Sequence, residues 1–145
     1  MSKVAIHYGA SANKQSQGSN RAVEIKIRDI SVGTDDELIK YDSSVIGTLT
    51  RSSAKRYGKV LVFSFVFTNS SQISSNTTLF TIDSSIAPSD QTDCVGANYS
   101  SADLAVYPTR LSISTSNSTT TIFSFDTLKT GNVRGEMVWL IKGDD

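Results

Sequence analysis

The sequence has a single cysteine, Cys94, so it can close no intrachain disulfide and lacks the paired thiols that redox and zinc motifs require. Cys94 reads as a buried thiol. The only histidine, His7, falls in a segment that reads as an arm, so a hydrolytic triad with a histidine base is not expected. Near its start the chain has no apolar run. His7, Tyr8 and Gly9 interrupt it, which leaves neither a secretory h-region nor a span of about 20 apolar residues. The expectation is a chain that is not exported on its own and does not insert into a membrane. Charged residues make up 19%, below the roughly 25% typical of globular domains. Formal net charge is zero, which removes the long-range attraction that nucleic acids and anionic membranes exploit. No Lys or Arg stands between Lys59 and Arg110, although Asp83, Asp90, Asp93 and Asp103 do, so this stretch is not built to grip phosphate. No internal repeat of 20–50 residues is present.

Chemistry that depends on clustered ligands is also missing. Asp35-Asp36-Glu37 lacks the glycine and terminal glutamate of a calcium loop, and no glycine-rich phosphate cradle occurs. The four aspartates between Asp83 and Asp103 read as solvated loop residues rather than a catalytic carboxylate pair. No cofactor, no metal and no enzymatic activity are expected.

What the chain does have is hydroxyls. Of 145 residues, 24 are Ser and 15 are Thr, a composition that favours strands and turns over helices, and the length suits one domain. Four Asn-x-Ser/Thr triplets, at Asn69, Asn76, Asn98 and Asn117, follow from that density and are a weak glycosylation signal. Ala10 to Asn20 is small and polar, which makes residues 1–21 a flexible or extended N-terminal arm ahead of one head domain over residues 22–145.

Within that domain, Ala22 to Arg28 alternates with Val23, Ile25 and Ile27 on one side, the period of a half-buried strand. Val32 to Asp42 reads as a loop with room for one helical turn. Val45 to Thr50 reads as a strand and Arg51 to Gly58 as the turn after it. Lys59 to Thr68 puts Leu61, Phe63, Phe65 and Phe67 on one face and Val60, Val62, Ser64 and Val66 on the other, so both faces need cover. Further strands are expected at Thr77 to Ile82, Thr92 to Ala97, Leu104 to Tyr107, Arg110 to Thr115, Thr120 to Phe125 and Met137 to Lys142. The last sets Met137, Trp139 and Ile141 against Val138 and Leu140.

The run Tyr57 to Phe65, then Thr77 to Ile82, then Ala87-Pro88-Ser89, then Leu111-Ser112-Ile113 and a final apolar strand Met137 to Lys142 resembles the head domains of bacteriophage tail fibres and receptor-binding proteins. The resemblance covers roughly Ser44 to Lys142. It departs from the pattern where Ile82 to Ile86 replaces a Pro-Gly turn and where the late strands lack an Asn-Gly hairpin. It implies a trimer on a virion appendage that binds saccharides on a host surface, and it carries over no individual binding residue.

The sequence-level expectation is therefore an all-β, antiparallel, jelly-roll-like β-sandwich that assembles as a homotrimer. Val60, Val62, Val66, Val138 and Leu140 would form its subunit interface, because a two-layer sandwich covers only one face of each sheet. Sugar rings stack on tyrosine faces while carboxylates and amides bind their hydroxyls, which selects Asp93, Asn98, Tyr99, Asp103, Tyr107 and Arg110 as candidate contacts. Trp139 reads as core. The partners expected are host cell-surface carbohydrate, further copies of the chain and other virion proteins, and no nucleic acid. The rival readings are a structural baseplate or decoration subunit that binds no sugar, and a small secreted lectin-like or cytokine-like sandwich.

Overall fold

In a computed structural model, which describes residues 2–7 and 22–143, the chain runs through eleven strands. They are β1 (Ser2–His7), β2 (Ala22–Asp29), the two-residue β3 (Val32–Gly33) and β4 (Ile39–Lys40), then one helical turn α1 (Ser43–Ile46), β5 (Thr48–Tyr57), β6 (Val60–Asn69) and β7 (Thr78–Ile82). A 3-10 turn at Ser84–Ile86 leads to β8 (Thr92–Ser100), β9 (Ala105–Ser116), β10 (Thr119–Ser124) and β11 (Gly131–Leu140). All belong to one sheet in the order β1-β2-β5-β6-β11-β8-β9-β10-β7-β4-β3. Every pairing is antiparallel except the short one between β3 and β4. No helix among the described residues is long and apolar enough to cross a membrane.

The sheet curls so that its two halves face each other, which gives the all-β, sandwich-like fold. Phe80 of β7 meets Phe63 and Phe65 of β6 at ring-centroid distances of 5.0 and 4.9 Å. These strands lie in opposite halves of the sheet, so their contact closes the core. The alternation of β6 survives intact: Leu61, Phe63 and Phe67 are 0% exposed, whereas Val60 is 39% exposed. On β11, Met137, Trp139 and the following Ile141 are buried while Val138 and Leu140 face outward. The Trp139 indole donates to the Ile86 carbonyl at 2.7 Å, which satisfies the one polar atom of a core side chain.

The structure redraws several expected boundaries. The segment read as strand then turn, Val45 to Gly58, is instead the end of α1 followed by β5. Asp42 caps α1 by accepting from the Ser44 amide at 2.9 Å, and Ile46 is its buried residue. β5 is polar because most of it is exposed, yet it pairs with β6 along its length and with β2 beyond, so ladder formation outweighs composition. Only Gly58 and Lys59 turn. The two strands expected around Tyr107 and Arg110 are one, β9, running through Pro108. β10 pairs with β9 only from Leu111 onward, so the missing proline N–H interrupts no ladder on that side. β8 and β11 are also longer than expected, each adding residues at the same end of the molecule. The turn from β9 to β10 uses Asn117 and Ser118, both at positive φ, in place of Asn-Gly. At the start, β1 pairs with β2, and the remainder of the expected arm, including Ala10 to Asn20, lies outside the described residues.

Two loops cross between the halves at one end, residues 70–77 after β6 and 125–130 before β11. Ile73 and Leu128 join them by reciprocal backbone hydrogen bonds of 2.9 and 2.8 Å, and both side chains are buried. That end carries most of the candidate contact residues.

Candidate functional site

Asn98 is 2% exposed and points inward from β8. Its amide nitrogen donates to the carbonyls of Lys129 and Asn132 at 3.0 and 3.1 Å, and its oxygen accepts from the Lys129 amide at 2.7 Å. Asn69, at the end of β6 and 1% exposed, donates to the same Lys129 carbonyl at 3.1 Å and to that of Ser71 at 3.0 Å. The Asn98 amide is engaged at both nitrogen and oxygen, whereas Asn69 uses its nitrogen and keeps a buried oxygen without a hydrogen-bond partner among the described residues. Asn98 thus supports the surface expected to bind sugar and does not line it.

The loop held by this clamp presents Lys129 to β9. The Lys129 ammonium lies 3.1 Å from Asp103 Oδ2 and 4.8 Å from the Tyr107 ring centroid, and the Tyr107 hydroxyl donates to the same carboxylate oxygen at 2.9 Å. The hydrogen bond from Lys129, then that from Tyr107 and the Lys129 charge, hold the Asp103 carboxyl below the usual carboxylate range. The same contact raises the Lys129 ammonium, and the bond to Asp103 raises the Tyr107 phenol. At neutral pH the trio is an ammonium, a carboxylate and a neutral phenol. Sequence reasoning treated this region as free of cations because it counted along the chain; Lys129 enters from 26 residues beyond Asp103.

Arg110 lies one step along β9 from buried Thr109 and forms a two-point bond to Asp126, with Nη2 to Oδ1 at 2.9 Å and Nε to Oδ2 at 3.3 Å. Its guanidinium also lies 5.7 Å from the Phe125 ring centroid. Asp126 is lowered by this partner, so Arg110 arrives with its charge already matched. Tyr99 is half-buried on the outer face of β8 and lines a depression of about 290 Å³ with Ala97, Val106, Asn132 and Arg134.

Asp93 does not join these residues. It pairs with Ser112, five residues along β8 from Asn98, which at strand spacing is about 16 Å away. There its carboxylate accepts from Ser112 Oγ at 2.6 Å and from Gln91 at 3.2 Å, and those bonds lower it. Cys94 beside it is half-buried, and burial pushes its thiol up.

The residues expected at a subunit interface divide into two groups. Val60 stands opposite Leu140 and Val62 opposite Val138, and Tyr57 extends the row from β5, giving an exposed apolar stripe across three strands. Val66 is elsewhere, between Arg51 on β5 and Arg134 on β11. Among the described residues, no group of His, Cys, Asp and Glu is placed to hold a metal ion. The chain matches no protein-family model and no curated protein.

Proposed function

We propose that this chain is a non-enzymatic adhesion module, the homotrimeric head of a viral fibre or similar appendage, recognising saccharide on a host cell surface. The observation that carries the reading is the braced end of the sandwich. Tyr107 offers ring surface, and the hydrogen-bonding groups of Asp103 and Lys129 are held in fixed directions by the two-asparagine clamp, while Tyr99 lines a separate depression on the other face of the sheet. Preorganised polar groups beside an aromatic face are what a neutral sugar needs, since ordering costs are met before binding. The mutual pairing of Asp103 with Lys129 and of Asp126 with Arg110 supports a binding rather than a catalytic role, because neither carboxylate is poised as a base. The likeness in strand order to phage fibre heads supports the viral setting, and the exposed stripe through Val60, Val138 and Leu140 supports assembly. Weak single sites on a trimer gain strength through effective concentration.

The test is a glycan array of host-derived polysaccharides probed with the intact protein and with Tyr99→Ala and Tyr107→Ala, each checked for folding by thermal melting. Loss of signal in folded Tyr107→Ala supports this location, and loss in Tyr99→Ala alone moves the site to the outer face of β8. Retention in both refutes it, and absence of any signal for the wild type favours the structural virion subunit.

A further inference from the structure

The outer face of the sheet holds a second feature that the sequence reading did not single out. The register of β5, β6 and β11 sets residues in rows across the strands. Arg51, Val66 and Arg134 form one row, and Ser53, Ser64 and Glu136 form the next. At a strand separation of about 4.8 Å, the two arginine Cα atoms stand about 10 Å apart with a valine between them. Beyond Arg134 the ladder between β11 and β8 ends at its pairing with Ala97. The next residues on each strand are Gly135 and Gly96. A Cβ at Gly96 would collide with the Arg134 carbonyl and Leu111, and one at Gly135 with the Phe65 ring and Leu111. The missing side chains let the backbone press onto the core where the ladder between β11 and β8 ends. A trough of about 950 Å³ results, with the two arginines, Glu136 and the two serines at its polar wall and Val66, Val95 and Ala97 as apolar surface.

The electrostatics of this trough differ from those at the end of the sandwich. Arg110, Lys129 and Lys55 each face a carboxylate. Among the described residues, no hydrogen bond or ion pair engages the side chains of Arg51, Arg134 or Glu136. Two uncommitted guanidiniums beside one carboxylate leave the trough with a formal excess of one positive charge. An arginine fork matches a planar carboxylate in two-point geometry. A single negative charge balances the excess, whereas Glu136 opposes a dianion.

We propose that this trough binds an acidic saccharide, a uronic or sialic acid residue. Arg51 and Arg134 grip its carboxylate, Ser53, Ser64 and Glu136 take ring hydroxyls, and Val66, Val95 and Ala97 carry its apolar face. The inference rests on the reading of the chain as a saccharide-binding head and adds a ligand class and a second location to it.

Titration calorimetry on the full chain with glucuronic acid, N-acetylneuraminic acid, glucose, galactose and inorganic phosphate tests it. The expected result is binding of at least one acidic sugar. It should weaken tenfold or more for the matching neutral sugar or carboxamide, fall as salt is raised, and drop tenfold or more in Arg51→Gln and in Arg134→Gln. Lys59→Gln, at an exposed position in the turn between β5 and β6, should leave it unchanged. Because the two arginines are exposed, their variants should melt with the wild type, and the carboxamide comparison on wild-type protein gives the same answer without a variant. Binding of neutral sugars alone, insensitive to both arginine variants, overturns this inference and leaves the adhesion reading standing. Phosphate binding as tight as that of the acidic sugars overturns the saccharide class. Failure of every sugar overturns this inference, and the adhesion reading falls with it only where the glycan array is blank as well.

Discussion

Phe80 is the residue on which the two halves of the curled sheet meet, and its removal gives the sharpest test of the fold. Its side chain is 0% exposed, and its ring lies within 6.4 Å, centroid to centroid, of Phe63, Phe65, Phe67 and Tyr41. Truncating a buried phenylalanine to alanine costs about 3–5 kcal/mol, and edge-to-face partners add about 0.5–1.5 kcal/mol beyond area. Phe80→Ala therefore belongs at the upper end, about 4–5 kcal/mol. At about 2–4 °C per kcal/mol for a chain of this size, melting should fall by roughly 8–20 °C. Urea unfolding followed by fluorescence suits the measurement, because Trp139 is the sole tryptophan and is buried against Ile86. With m of about 2 kcal/mol/M, the midpoint should move by about 2 M at unchanged slope. Phe125→Ala is the control: that ring is 37% exposed, and its loss should cost about 1 kcal/mol or less. A Phe80→Ala loss below about 1.5 kcal/mol would refute the closure of the core through β7 and β6, since a cavity that size cannot be neutral unless the halves are not packed there.

Two further outcomes are expected. Asp42, Asp83, Asp93, Asp103 and Asp126 all have carboxyls held below their ordinary values by hydrogen bonds, so the stability they contribute is present above the unfolded value near about 3.9 and is lost as pH falls through the lower folded values. The melting temperature should be level from about pH 7 to pH 5 and decline below about pH 4; a level profile down to about pH 2.5 would contradict the carboxylate contacts. Val138→Lys and Leu140→Lys should leave the protomer folded, each within about 1 kcal/mol, and dissociate the proposed trimer in native mass spectrometry at micromolar concentration. A wild type that is strictly monomeric removes the reason for the trimer.

Alternating apolar residues made β6 and β11 legible down to which side of each strand is buried, because period-two burial leaves its mark on every residue. β5 was not legible. Arg51 to Tyr57 carries the composition of a turn, and what makes it a strand is a partner on either side, which no local window contains. The same reason hid the trough, whose first arginine lies in that misread segment. Glycine inside a strand often marks close backbone approach, so Gly96 and Gly135 were the available sign of the tight packing there. At the end of the sandwich Tyr107 and Asp103 were legible as a group, whereas Tyr99 stands on the opposite face of the sheet. Lys129 was not, since its nearness to Asp103 is set by a loop crossing between the halves. Asn98 has the same letter in the sequence whether its amide faces water or three backbone groups, and only the fold distinguishes these.

The asparagine clamp bears on how this protein can be made. Asn69 and Asn98 each begin an Asn-x-Ser triplet, and in the folded molecule both amide nitrogens are buried against the Lys129 carbonyl. Asn76 and Asn117 are exposed. A glycan attached to a nascent chain during passage through a eukaryotic secretory pathway meets all four before any of these bonds exist. On Asn69 or Asn98 it would occupy the nitrogen that the loop needs and leave a bulky polar group where the sandwich end must close. Production by that route would thus yield chains that fold only when two of the four triplets are skipped, whereas synthesis in a bacterial cytoplasm meets no such obstacle.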